Sequence, residues 1–189
     1  IDVIDLYQIH RPDFLGHPAE VAATLSALKE EGKIRSVGVS NYTTSQFRAL
    51  QAHLPFPIAT SQPEFSCWKY GALRDGMLDL CMETNTTPLA WSPFGGGIIG
   101  MSKAEAAQQE NGDRLAALVE ILDTVASEQN VPRAAVALAW ILAHPAGIIP
   151  IIGTQRIERI KESIQALDVK LDRATWNSIL IAAQGEPLP

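Results

Sequence analysis

Short apolar, β-branched runs alternate along the chain with longer segments whose apolar residues recur at helical spacing, the pattern of repeated βα units. The first strand is expected over Val3 to Ile9. The helix after it carries Val21, Leu25 and Leu28 on one face and stops at Gly32, which tolerates the left-handed C′ conformation. A second strand follows over Ile34 to Val39. Thr43 with Gln46 three residues later is a capping-box pattern, opening a helix whose buried stripe is Phe47, Leu50 and Leu54. Ile58 to Ser61 reads as the third strand. Leu73, Met77 and Leu80 keep a helical period up to Asn85, although Gly76 lies inside it. Pro88 to Trp91 is the fourth strand. From Ser92 to Asp113 the sequence is rich in Gly and polar residues, the composition of a binding loop or lid. Two helices then bear Leu115, Leu118, Leu122 and Val136, Ala139, Trp140. Ile148 to Ile152 is the fifth strand, followed by a helix with Ile157, Ile160, Ile164 and Leu167. The final helix, from Asp172, holds Trp176, Ile179 and Leu180. Nothing in the helix faces announces an exposed apolar patch.

Crossover helices cover both faces of a sheet whose strands all run parallel. A doubly wound sheet is one outcome, but no Gly-x-Gly-x-x-Gly turn follows any strand. Five βα units whose strand C-termini all carry polar residues suit part of an eight-stranded barrel instead. The expected fold class is therefore α/β, a partial (β/α)8 barrel. Its open edges would leave backbone groups unpaired and favour aggregation of the isolated piece. Ile1 already lies inside a strand pattern, so further N-terminal sequence is expected.

Composition narrows the chemistry. Of 189 residues, 47% are hydrophobic and 19% charged, which suits a globular domain with a sizeable core. A net charge of -6 without Lys or Arg clusters argues against nucleic acid and anionic membranes, leaving a small-molecule ligand as the default partner. Cys67 and Cys81 form no Cys-x-x-Cys pair, and no secretory signal precedes them, so a reduced, cytoplasmic setting is expected. His17, His53 and His144 have no ligand spacing with one another or with His10, and no metal is predicted. Neither a Gly-x-Ser-x-Gly elbow nor a Cys/His pairing points to a covalent nucleophile.

In a barrel the chemistry sits at the strand C-termini. The first strand ends Ile9-His10-Arg11-Pro12-Asp13, the second Gly38-Val39-Ser40-Asn41-Tyr42, and the third Ser61-Gln62-Pro63-Glu64. The fourth ends Ala90-Trp91-Ser92-Pro93-Phe94-Gly95-Gly96-Gly97. The fifth reads Pro150-Ile151-Ile152-Gly153-Thr154-Gln155-Arg156 and continues to Arg159, Glu162 and Ser163.

Taken in this order, the five strings resemble the aldo-keto reductase family over essentially the whole chain. They look especially like its bacterial YdhF-like oxidoreductases, which share Ala-Trp-Ser and Pro-Ile-Ile-Gly. The resemblance implies that residues 1–189 are the C-terminal portion of one barrel domain, carrying strands four to eight and a C-terminal helix, with strands one to three absent. It implies NADPH-dependent reduction of aldehyde or ketone carbonyls. Such a reduction needs a nicotinamide held against the substrate and a hydrogen-bond donor where charge grows on the carbonyl oxygen.

By the same resemblance, His10 donates to that oxygen; taken alone it would read as a histidine capping a strand end. Ser40, Asn41 and Gln62 hydrogen-bond the nicotinamide carboxamide, although Ser-Asn is also ordinary turn chemistry. Trp91 stands where most members have a stacking Tyr, and its larger π surface serves equally well; a core aromatic is the other reading. Ser92, Pro93, Phe94 and Gly95 bring backbone amides toward the pyrophosphate, with glycine permitting the close approach. Gly153, Thr154, Gln155 and Arg156 open a helix whose N-terminus attracts phosphate. Arg159 suits a 2′-phosphate, Glu162 the adenine amino group, and Ser163 completes that segment. Many members carry a cation immediately beside the Gly-Thr pair; here Ile152 and Gln155 occupy those places, which leaves the preference for NADPH over NADH open.

The family's proton donor is a tyrosine assisted by a lysine and an aspartate, all upstream of the strand that opens this chain. Tyr7, Tyr42 and Tyr70 do not match it, so the 189 residues alone are expected not to turn over. The competing readings are a non-catalytic NADPH-binding regulatory module of the same fold, and an unrelated aldolase or isomerase barrel holding a phosphorylated substrate at the Gly-rich loop.

Overall fold

Parallel strands joined by helical crossovers organise the chain, which the computed structural model describes over residues 1–188. It divides into two units: Ile1–Pro63 with Gly71–Leu89, and Glu64–Tyr70 with Ala90–Pro189.

In the first unit β1 (Ile4–Ile9), β2 (Ile34–Ser40), β3 (Thr60–Gln62) and β4 (Thr87–Ala90) pair parallel, in chain order. Helix α1 (Pro18–Glu30) connects β1 to β2. Its N-cap is His17, whose Nδ1 accepts from the Ala19 N–H at 3.2 Å, while Gly32 beyond its end takes φ +71°. Helix α2 (Thr44–Gln51) starts from the expected capping box. Thr43 Oγ1 accepts from Gln46 N at 3.2 Å and Gln46 Oε1 from Thr43 N at 2.9 Å. Two otherwise orphaned N–H groups are thereby satisfied, an arrangement that stabilises by about 0.5–2 kcal/mol. Phe47, Leu50 and Leu54 are all buried.

Local patterns misplace three boundaries here. The third strand begins at Thr60 rather than Ile58, because the Ile58 N–H is taken by the Gln51 side chain at 2.8 Å instead of by a ladder partner. The single helix expected to run through Leu73 and Met77 is a 3-10 turn over Gly71–Leu73 followed by α3 (Met77–Thr84). Gly76 adopts φ +79° between them, which no α-helix interior permits. The fourth strand ends at Ala90, and Trp91 makes only an isolated parallel bridge with Glu64.

The second unit is mostly helical. The segment expected as an irregular loop from Ser92 to Asp113 contains a 3-10 stretch over Gly95–Gly100 and the short α4 (Lys103–Ala106), and α5 (Gly112–Gln129) already begins within it. Ser102 and Glu105 form a second capping box that the sequence reading overlooked. Helices α5 and α6 (Arg133–Leu142) bury Leu115, Leu118, Leu122, Val136, Ala139 and Trp140. The fifth strand shortens to β5 (Ile149–Pro150), and Ile151 N donates to Ala90 O at 2.9 Å.

Helix α7 (Ile157–Ile164) starts at Ile157, so Thr154 to Arg156 precede it rather than opening it. It buries no residue: Ile157 is 64% exposed, Ile164 59% and Leu167 beyond it 75%. The sequence does not announce this exposure, since amphipathic spacing specifies an apolar stripe but not the surface that meets it. Helix α8 (Arg173–Gln184) is capped by Asp172, whose carboxylate accepts from Thr175 N at 2.7 Å. That bond holds the Asp172 carboxyl below its ordinary range.

Trp140 and Trp176 anchor the core of this unit. Their rings stack 4.6 Å apart at 7°, and Phe65 lies 5.5 Å from Trp140. Each indole N–H donates to the other residue's carbonyl, at 3.0 and 2.9 Å. A buried and a half-buried tryptophan are thus packed together without an orphaned donor.

Candidate functional site

In the first unit, the ends of three strands carry a polar network. Paired registers place Gln8, Gly38 and Thr60 side by side on β1, β2 and β3. Thr60 Oγ1 donates to Gln8 Oε1 at 2.7 Å, and Gln8 Nε2 donates to Gln62 Oε1. The bridge passes over Gly38, where an added Cβ would come within 2.0 Å of Thr60 Oγ1. This position is closed to any side chain, which explains a glycine in mid-strand. Since Gln62 accepts through Oε1, its Nε2 donors are turned away from Gln8.

One residue beyond, Ser40 is 2% exposed and its Oγ donates to Gln62 O at 2.9 Å. Asn41 takes φ +59°, a conformation that suits asparagine. Its N–H donates to Gln62 O at 3.2 Å, and its Nδ2 to His10 O at 3.0 Å and Ser40 Oγ at 3.1 Å. Asn41 therefore ties together the ends of β1, β2 and β3. Four of the residues singled out from sequence, His10, Ser40, Asn41 and Gln62, are joined by this network, and the His10 side chain is exposed at its margin. Each such bond contributes about 1 kcal/mol net, but their joint effect is to fix where the side chains point. Nearby, Pro12, Asp13, Phe14, Tyr42 and Gln46 border a hollow of about 210 Å³. Burial raises the Tyr42 phenol above its ordinary pKa, the opposite of what a proton-donating tyrosine at neutral pH requires.

The second unit contains a cleft of about 890 Å³, within the range of roughly 300–1,000 Å³ typical of small-molecule sites. One wall is the loop after β4, including Ser92, Pro93, Phe94, Gly96 and Gly97; the other includes Gly153, Thr154, Arg159, Glu162 and Ser163. Ser92 adopts φ +50°, a strained value for serine, whereas Gly96 and Gly97 reach φ +71° and +98° with no atom within 4 Å of an added Cβ. On the opposite wall, Thr154 Oγ1 accepts from Arg156 N at 3.2 Å and Ser163 Oγ donates to Arg159 O at 2.8 Å. No side chain caps the N-terminus of α7.

Eight of the residues expected at a cofactor site line this cleft. Gly95 does not: it is buried against Trp68, whose Cβ lies 3.4 Å from where a Gly95 Cβ would be. Gln155 and Arg156 are exposed outside it, and Trp91 is half-buried, its carbonyl accepting from Phe65 N at 3.2 Å. Arg133 and Asp123 line the cleft and were not expected there. Their pairing links two helices, and no local motif in the sequence signals it.

Neither thiol suits nucleophilic chemistry. Burial pushes Cys67 up to about 12 and Cys81 to about 11, so both stay protonated at neutral pH.

Comparison with known proteins bears on the family. The profile of the Aldo/keto reductase family matches residues 1–183. Across all 189 residues the chain is 47% identical to 6-dehydroglucose reductase of Novosphingobium aromaticivorans, covering 60% of that protein. Over 188 residues it is 39% identical to the oxidoreductase YdhF of Escherichia coli, again covering 60% of its length. A crystal structure of a thermostable aldo-keto reductase in complex with the inhibitor epalrestat superposes with a TM-score of 0.82 at 24% identity, over 96% of this chain and 60% of that one. The chain thus spans 60% of the relatives it matches, and the reading as an aldolase or isomerase barrel is set aside. On the strength of the match across nearly its whole length, the chain belongs to the aldo-keto reductase family.

Proposed function

We propose that the whole protein is an NADPH-dependent carbonyl reductase, and that these residues are the C-terminal portion of its single barrel domain, with the five strands as the fourth to eighth of the barrel. The observation that carries the reading is the cleft of about 890 Å³ in the second unit, which has a glycine loop on one wall and Thr154, Arg159 and Glu162 on the other.

These residues fit a dinucleotide phosphate. Close backbone approach is possible at Gly96 and Gly97, where nothing occupies the space a Cβ would take, and Ser92 to Gly95 lead into that turn. Arg159 offers a planar fork of donors to a 2′-phosphate, with Arg156 nearby in sequence, and the N-terminus of α7 adds its dipole. Glu162 accepts from an adenine amino group, and Gly153, Thr154, Gln155 and Ser163 shape the adenosine end. In the first unit, Ser40, Asn41 and Gln62 hydrogen-bond a carboxamide, a role supported by their fixed network. Trp91 stacks on the ring. When bound, the cofactor supplies a hydride for the carbonyl carbon. His10 donates to the carbonyl oxygen as negative charge develops there, held by the anchored end of β1.

The name of the Novosphingobium relative suggests a sugar aldehyde as one substrate to try. NADPH oxidation by the complete gene product should be followed with a panel of simple aldehydes, quinones and 6-dehydroglucose. Turnover with at least one carbonyl is expected. Tight NADPH binding without turnover on any of them would instead favour a regulatory module of the same fold.

A further inference from the structure

Between Gly95 and Met101 the chain forms one wall of the cleft, and its backbone bonds are short-range, from Gly97 N to Phe94 O and from Met101 N to Ile98 O, both at 3.1 Å. At Gly96 and Gly97 an added Cβ would meet no atom within 4 Å. Downstream the segment is fixed by the Ser102–Glu105 capping box and by an ion pair between Lys103 and Glu120 at 2.7 Å. Ile99 is buried and Gly95 packs against Trp68, and among the described residues one side chain on a neighbouring helix hydrogen-bonds the loop carbonyls. Arg133, the first residue of α6, uses both Nη1 hydrogens on loop carbonyls, reaching Ile99 O at 2.9 Å and Met101 O at 2.5 Å. Its Nε and Nη2 grip the two carboxylate oxygens of Asp123 on α5, each at 2.6 Å.

A planar guanidinium can serve a bidentate carboxylate on one edge and two carbonyls on another at once; a lysine ammonium cannot. The carboxylate fixes the guanidinium, and the guanidinium fixes the loop. The same pairing neutralises Asp123, whose charge faces the cleft and would otherwise repel an anionic ligand.

We infer that Arg133 is a positioning residue: with Asp123 it latches the 95–101 loop in the conformation that receives the diphosphate of the bound dinucleotide. This inference rests on the dinucleotide reading of the cleft. It assigns the loop wall to the diphosphate and the Thr154–Ser163 wall to the adenosine 2′-phosphate end, so the two ends of the ligand should respond differently when the latch is broken.

The test is calorimetric titration of the complete protein and its Arg133→Lys variant with NADPH and, separately, with adenosine 2′,5′-bisphosphate, which lacks the diphosphate bridge. Lysine keeps the charge beside Asp123 and loses the fork. Arg133→Lys should weaken NADPH about tenfold and leave the bisphosphate within about twofold. Arg133→Met, which also leaves Asp123 unpaired, should weaken NADPH further. Unchanged NADPH affinity in Arg133→Lys would overturn the latch. Equal weakening or loss of both ligands would also overturn it, since Arg133 would then serve the fold of the whole cleft. If the unsubstituted complete protein binds neither ligand, the dinucleotide reading itself fails and the latch falls with it.

Discussion

Replacing His10 by alanine in the complete protein is expected to lower kcat for carbonyl reduction by on the order of 10²-fold or more, with the KM for NADPH unchanged. The expectation follows from where His10 sits. It is the residue just after β1, its carbonyl is tied by Asn41 Nδ2 at 3.0 Å, and Asn41 is itself tied to Ser40 and Gln62. The tie anchors the backbone from which the imidazole projects, and a 10²-fold loss corresponds to about 2.7 kcal/mol of transition-state stabilisation. Because His10 is exposed at the edge of the network rather than buried inside it, removing its imidazole should not disturb the strands. Steady-state kinetics on the variant decides the matter. A kcat within twofold of the parent would remove His10 from the chemistry, and a rise in the KM for NADPH alone would assign it to cofactor binding.

The second large effect concerns stability. Trp140→Ala should destabilise the second unit by about 3–5 kcal/mol. Trp140 is fully buried, stacks between Phe65 and Trp176, and exchanges indole hydrogen bonds with Trp176 in both directions. Truncation opens a cavity among α5, α6 and α8 and leaves the Trp176 carbonyl without its donor. Denaturant unfolding followed by circular dichroism should show the midpoint falling sharply. Trp176→Ala, at a half-buried site, should cost less. A shift below about 1 kcal/mol for Trp140→Ala would mean that the core collapses around the loss.

What the sequence made legible was local. Thr43 and Gln46 announce α2 because a capping box is complete within four residues. Gly32, at φ +71°, marks the end of α1 for the same reason. His10, Ser40, Asn41 and Gln62 stand out in the sequence because each lies at the end of an apolar strand run, and the network joining them follows from parallel register. What escaped depended on partners distant in sequence. Ile58 looks like a strand residue until Gln51 takes its N–H. Gly76 interrupts a helical period that is otherwise intact. Helix α7 displays a regular apolar stripe, yet nothing in the stripe says that Ile157 and Ile164 stay exposed. Arg133 is the same kind of case: its bonds reach residues 10 to 34 positions away. Composition alone gives no sign that a lone arginine after Pro132 holds a loop.

If the whole protein is the proposed carbonyl reductase, it moves a hydride from NADPH to a carbonyl carbon. The most direct measurement uses NADPH deuterated at the transferring C4 position with an aldehyde substrate, and locates the label in the product by mass spectrometry and proton NMR. One deuterium per product molecule is expected, on the carbinol carbon, in an alcohol formed in step with NADPH loss. Alcohol without carbon-bound deuterium, or NADPH consumed without alcohol, would contradict it.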